Sequence, residues 1–372
     1  MPPHEPSAET AMISPELLAA IPLPDTPPSI GSMLAWNPPS FPVLPALALA
    51  ASILYLIGLV RLRRLQRAWP WWRTACFLAG CLLLAAITGL GIEAYGYQLF
   101  SVWMFQHLTL SMTIPPLLVW GCPGLMLLRA TPHRGLGRLV LAVAVSGLRS
   151  RTMRWMLHPG FTIPLFLFSY YGIYLTPVFD NVASTVLGHQ LLELFFLLSG
   201  LLFVVPILSV GPLPIRQTNL GRFFDLFVEM PLHVFFGVIL MMATTPLVEF
   251  FATPPPQWGI EAMRDQYLAG ALAWSYGEPV ALVVVIVFAI RWRRDEMRDN
   301  AVADRRSDLV GDDELAAYNA FLNDLYPRRP DRSAVSRPVA SLVREHDAAP
   351  ASAIISTGHV TDAGSSARRN TA

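Results

Sequence analysis

Seven apolar runs separated by polar loops fill the chain between Phe41 and Ile290. They fall at about 41–60, 74–92, 98–120, 161–174, 184–208, 224–245 and 266–290. A helix needs about 20 apolar residues to cross a hydrocarbon core of about 30 Å, and only the fourth run is well short of that. An eighth apolar stretch, Leu136–Leu148, carries arginine at both ends, which predicts a helix lying in the interface rather than a span. The pattern therefore predicts an all-α polytopic membrane protein with seven transmembrane helices over residues 41–295. The third run is the unusual one. Within Ser101–Arg129 it holds His107, the tandem Pro115-Pro116 and a Gly121-Cys122-Pro123-Gly124 turn. Hydrocarbon offers a histidine no water partner, and two prolines remove backbone donors, so other helices must pack here to satisfy what this one leaves open.

Charge fixes the predicted orientation. Charged residues are 14% of the chain, against about 25% in a soluble domain. Every basic residue is arginine. Arginines crowd into the loops after runs one, three, five and seven, while the loops after two, four and six hold only Arg264. The positive-inside rule then places the amino terminus outside and the tail in the cytoplasm, in the cell membrane. An eighth span at 136–148 would break this alternation. Residues 1–40 are rich in Pro, Ser and Ala without a basic region before an apolar run; they read as a disordered extracytoplasmic leader rather than a signal peptide. Residues 296–372 read as a cytoplasmic tail with a short amphipathic helix near 312–325, its face formed by Leu315, Phe321, Leu322 and Leu325. A formal charge of +1 argues against a nucleic-acid partner. Cys76, Cys81 and Cys122 lie in or beside apolar runs without CxxC spacing and read as small core residues.

Three histidines lie within the apolar runs. At 1.5 Å per residue, His107 falls about 15 Å and His233 about 18 Å below the outer edge, close enough in depth to meet, with His189 about 8 Å deep. Met104 precedes His107, and Met230 precedes His233, by three residues, which puts each pair on one helix face. Imidazole with thioether suits copper, and thioether favours Cu(I). The candidate metal ligands are thus His107, His233, His189, Met104 and Met230. Interhelical hydrogen bonding is the ordinary alternative, and a haem or proton-relay role is another. His189 and Glu193, four apart, can bond along one helix; Glu193 and Glu229 read as packing or interface partners. No nucleophile–base arrangement, P-loop or Gly-rich nucleotide motif is present, so an enzyme is not expected.

The segment QHLTLSMTIPPLLVWGCPGLMLLR resembles the signature of the polytopic CtaG-type cytochrome c oxidase assembly factors of the caa3 class: QH-x-x-L, then PPLL-x-x-G-x-P, then an LLRA exit. GHQLLELFFLLSGLLFVVPI, EMPLHVFFGVILM, DQYLAGALAWSYGE and the tail segment DELAAYNAFLNDL resemble further family blocks in the same order. The resemblance covers about Ser101–Leu325 and is most like actinobacterial members. Trp103 and Phe195 stand where such members often carry histidines, which implies a thinner histidine site here. The chain is expected to be too short for the copper-resistance domain fused to some relatives. The resemblance implies a membrane assembly factor for haem–copper oxidase that aids copper delivery or insertion on the outer side, with oxidase subunits and the bilayer as partners. Copper transport or tolerance, and a haem-binding membrane redox protein, are the rival readings. The topology is testable: a reporter active only in the cytoplasm should be silent when fused after Tyr97, Asp180 or Pro255 and active after Arg67, Gln217 or Arg298. Activity after Asp180 overturns the seven-span arrangement.

Overall fold

A computed structural model of the chain describes residues 24–39, 41–208, 218–310 and 313–326, and all regular structure among them is helical. The main helices are α1 (Val43–Arg64), α2 (Trp71–Ile87), the short α3 (Gly91–Gly96), α4 (Phe100–Leu108), α5 (Ile114–Trp120), α6 (Pro123–Ala130), α7 (Leu136–Arg149), α8 (Pro159–Leu167), α9 (Val186–Leu208), α10 (Asn219–Met242), α11 (Ala262–Val310) and α12 (Asp313–Leu325). The chain divides into two units, 1–301 and 302–372. The stretches 1–23 and 327–372, both expected to lack structure, lie outside the described residues.

Five helices are long and apolar enough to cross a membrane: Val43–Arg64, Phe100–Ala130, Val186–Leu208, Gly221–Met242 and Ala262–Arg305. The second expected span appears as the 17-residue α2. The fourth is α8 continued through a π turn, Phe168–Gly172, to Tyr174. α7, at 14 residues, is too short to cross. It buries Leu141 and exposes Leu136, Leu139, Val140 and Val143, as an interfacial helix does. In the second unit, α12 exposes Tyr318, Phe321 and Leu325. All three cysteines are free thiols, with Cys81 and Cys122 buried.

The third apolar run is central. In Phe100–Ala130 and Val186–Leu208, 56% and 61% of the apolar window is buried inside the protein, against 17% in the peripheral α1. The tandem prolines explain how the two central helices meet. An α-helical carbonyl needs an N–H four residues on, and a π-helical one needs it five residues on. For Ser111 those residues are Pro115 and Pro116, and neither has an N–H. The backbone responds with a π turn over Thr109–Thr113, in which the Ile114 N–H reaches the Thr109 carbonyl. The freed Ser111 carbonyl faces α9 at Gly200, where an added Cβ would stand 2.1 Å from the oxygen. Hydroxyls bond other carbonyls of the bend: Thr109 Oγ1 donates to Phe105 O at 2.7 Å and Ser111 Oγ to His107 O at 2.8 Å.

The end of the bundle beside α3 is closed by loops and by part of the predicted leader. Residues 24–39 carry a helical turn, Ile30–Met33, capped by Ser29. The Tyr95 hydroxyl bonds Ser32 Oγ at 2.9 Å, and the Gly91 N–H donates to Ala35 O at 2.8 Å, so the leader is structured over this part. Asp265, from the start of α11, caps α4: the Phe100 N–H donates to its Oδ2 at 2.6 Å and the Ser101 hydroxyl also bonds it. The cap satisfies amides that Leu99, as the local cap residue, cannot. Asp180 accepts from the Phe250 N–H at 2.9 Å, and Gln266 from the Leu247 N–H at 2.7 Å.

The contact at Gly200 predicts a sharp mutational response. Gly200→Ala drives a methyl into a backbone oxygen and should destabilise the protein by about 3 kcal/mol, within the range for overpacking, read as a lower unfolding midpoint in detergent. Gly124→Ala, where nothing lies within 4 Å of the added carbon, should leave the midpoint unchanged. Equal midpoints for the two variants would remove the close crossing from the account.

Candidate metal centre

Three buried ligand groups converge near the end of the bundle that carries α3. Glu93 comes from α3, and His189 and Glu193 come from successive turns of α9. Their ligand atoms all lie within 4.8 Å of one another. His189 is fully buried, and Glu93 and Glu193 are each 2% exposed. α3 begins four residues after α2 ends, which sets Glu93 at the far end of α2 from Arg73.

The hydrogen bonds leave the cluster incomplete. Gln106 Nε2 donates to Glu93 Oε2 at 2.7 Å and to the Ile87 carbonyl at 2.9 Å, fixing the carboxylate. Glu93 Oε1 then lies 3.6 Å from His189 Nε2. Both His189 nitrogens and Glu193 Oε1 are buried without a hydrogen-bond partner. Such atoms each cost about 1–3 kcal/mol. Burial pushes the Glu93 carboxyl above the ordinary carboxylate range, and its bonds with Glu193 and Gln106 only partly offset this. Two carboxylates this close and this dry need a shared proton or a cation between them.

Aromatic rings wall the cluster. The Tyr97 ring stacks on His189 with centroids 3.6 Å apart, and Trp103 lies 4.1 Å from the same imidazole. Ligands at about 2.0–2.2 Å from one ion lie within about 4.4 Å of each other, so these groups need to contract only slightly to share a cation.

The other sequence candidates lie elsewhere. His107 stacks on Phe196 at 3.8 Å and on Tyr170 at 4.6 Å, and its Nδ1 bonds the Tyr174 hydroxyl at 3.0 Å. His233 places Nδ1 3.2 Å from Glu229 Oε1 on its own helix. Its Nε2 abuts Gly277 of α11, where a Cβ would stand 2.4 Å away. Among the described residues the two histidines share neither a hydrogen bond nor a ring contact. Met104 is fully buried in the core. The partners found for His107 and His233 are aromatic rings, a hydroxyl, a carboxylate and backbone. Sequence reasoning assigned Glu193 to packing and gave Glu93 no role in a site. The His189–Glu193 spacing was the available signal; nothing local tied Glu93 to them.

Comparison with known proteins adds the family. The profile of the cytochrome c oxidase caa3 assembly factor family matches residues 53–295. An uncharacterized protein of Mycobacterium bovis and one of Mycobacterium tuberculosis are each 37% identical over 304 residues, covering 80% of this chain and 46% of the relative. One from Mycobacterium leprae is 35% identical over 307 residues, covering 82% and 46%. The chain thus spans less than half the length of these relatives. No solved structure matches. The match runs from α1 into α11 and takes in every residue of the cluster, and the chain belongs to the cytochrome c oxidase caa3 assembly factor family.

Proposed function

We propose that this chain assists the assembly of a haem–copper cytochrome c oxidase by holding copper, as cargo, at Glu93, His189 and Glu193 on the outer side of the cell membrane. The observation that carries the reading is the convergence of three buried ligand groups, two of them under-bonded, in a chain of the assembly-factor family. The role is binding and transfer, without catalysis.

The donor set favours one form of the cargo. One imidazole and two carboxylates suit Cu(II) or another borderline divalent ion, whereas Cu(I) prefers thiolate and thioether. Met104 and Met230 are therefore left out of the proposed site. Gln106 orients Glu93, the helical spacing of His189 and Glu193 orients the other two, and Tyr97 covers the imidazole. Release to an oxidase subunit requires Tyr97 to move, and Tyr97 ends a helix of only 6 residues. The arginine alternation supports seven spans, with α2 and 159–174 as the two short ones, the amino terminus outside and the tail in the cytoplasm. That arrangement puts the cluster at the outer end.

The rival readings have less support. A transport path requires a continuous row of ligands, and His107 has its Nδ1 on a tyrosine and its ring stacked on Phe196 and Tyr170. Bis-histidine haem ligation requires two facing imidazoles, and among the described residues His107 and His233 share neither a hydrogen bond nor a ring contact.

Full-length protein titrated with Cu(II) in detergent should bind about one ion per chain. His189→Ala and Glu193→Gln should each weaken binding at least tenfold, by analogy with the ~10–100-fold losses seen even for outer-shell changes. His233→Ala should leave affinity intact. A deletion strain complemented with Glu193→Gln should make oxidase of low copper content at normal abundance of this protein. Loss of copper binding in His107→Ala and His233→Ala but not in His189→Ala would sink the assignment, and so would a Soret band on the purified protein with no copper bound.

A further inference from the structure

The arginine-rich end of the bundle holds a second cavity, of about 580 Å3, that the metal cluster does not explain. Its walls come from both ends of the sequence. Trp72 and Arg73 enter from α2, Trp120 from the end of α5, and Arg291, Arg294 and Arg298 from α11. The spacing of the last three, i, i+3 and i+7, puts them on one helix face. Arg293, in the same basic run, does not line the cavity. Orientation rules explain why arginines gather at this end of the chain, but not why four of them from two distant helices converge on one space.

The cavity is short of negative charge. Asp295 is its only acidic wall residue, and it pairs with Arg298 at 4.0 Å, both side chains being exposed. Arg73 is held in place by its neighbours, its guanidinium carbon 5.3 Å from the ring centroids of both Trp69 and Trp72. Its Nε is buried without a hydrogen-bond partner. Arg73, Arg291 and Arg294 thus face one space as like charges with no paired carboxylate among the described residues. Beside them the wall turns apolar, at Val287, Ile290 and Trp120. A surface that is cationic at one edge and apolar at the other, at the foot of membrane-spanning helices, matches a phosphate attached to acyl chains better than a free anion.

We propose that this cleft binds an anionic phospholipid, its phosphate held by Arg73, Arg291 and Arg294 and its acyl chains lying along Val287 and Ile290. The site is independent of the metal cluster, which lies at the other end of α2. It accounts for the placement of Trp72 and Trp120, ring systems suited to the headgroup boundary.

The test uses full-length protein in neutral detergent, with lipid retention read by native mass spectrometry. Phosphatidylglycerol should be retained more tightly than phosphatidylcholine, by about fivefold for each arginine engaged, the equivalent of ~1 kcal/mol per charge. Arg73→Gln and Arg291→Gln should each reduce that preference by about fivefold, and Arg293→Gln should keep it. Millimolar inorganic phosphate should not displace the lipid. Arg294→Gln, at an exposed position, substitutes for Arg73→Gln if the latter does not accumulate, and the comparison of the two lipids on the unaltered protein needs no variant. Equal retention of the two lipids, an equal loss in Arg293→Gln, or full displacement by phosphate alone each overturns the proposal; the last would mark a site for free anions.

Discussion

A membrane interior offers no water to a stranded carbonyl, and this chain strands one at its centre. Pro115 and Pro116 remove both donors that an α- or π-helix would offer Ser111 O. α9 brings its backbone close to that oxygen by having no side chain at Gly200. Weak Cα–H···O contacts of this kind recur where helices pack closely. The contacts ascend together along both helices, from Trp103 with His189 through His107 with Phe196 to Ser111 with Gly200, so the two run in the same direction and one fixed crossing sets their register. Phe196 then meets His107 at 3.8 Å and His189 meets Trp103 at 4.1 Å. A backbone defect in the third apolar run thereby decides where the imidazole and carboxylate of α9 come to rest.

The buried polar groups divide into those that are matched and those that are not. Asp265, Asp180 and Gln266 tie loops and helix starts together, each taking an amide that would otherwise be bare. His107 has a tyrosine hydroxyl and His233 a carboxylate. His189 has Glu93 Oε1 at 3.6 Å, beyond hydrogen-bond distance, so both its nitrogens lack a hydrogen bond, beside a Glu193 oxygen that lacks one as well. Buried polar atoms in native proteins are nearly always bonded, so exceptions that cluster have more meaning than scattered ones. His107 and His233 each keep one unbonded ring nitrogen, whereas at His189 and Glu193 three unbonded atoms gather in one place.

Much of this was legible in the sequence, in proportion to how local each signal is. Apolar run length located the long spans. Arginine flanks and length identified 136–148 as a helix too short to cross, and the structure ends it at Arg149. The i, i+4 relation of His189 and Glu193 was visible because it lies on one helix. Glu93 was not, because it sits 96 residues before His189, and only the packing of α3 against the top of α9 brings them together. His107 and His233 show the limit of depth alone. Rise per residue gives depth but not the direction a side chain takes around its helix, and each ring turns to a different neighbour. The leader was misread over 24–39 because its low hydrophobicity hides the hydrogen bonds it makes to Tyr95 and Gly91.

One departure from the family pattern gains a physical meaning from the structure. Trp103 occupies a position where the members this chain resembles often carry histidine, and its ring lies beside the His189 imidazole. An imidazole there would bring a second nitrogen donor to the edge of the cluster. The indole brings none, since its single nitrogen carries a hydrogen and cannot ligate a cation. It supplies apolar area instead and helps keep the cluster dry. Dryness strengthens the attraction between two carboxylates and any cation that neutralises them, because the effective dielectric falls. The exchange therefore shifts the balance at this position from donor number toward field strength. It leaves two carboxylates and one imidazole within reach of one another, a donor set in which oxygen outnumbers nitrogen.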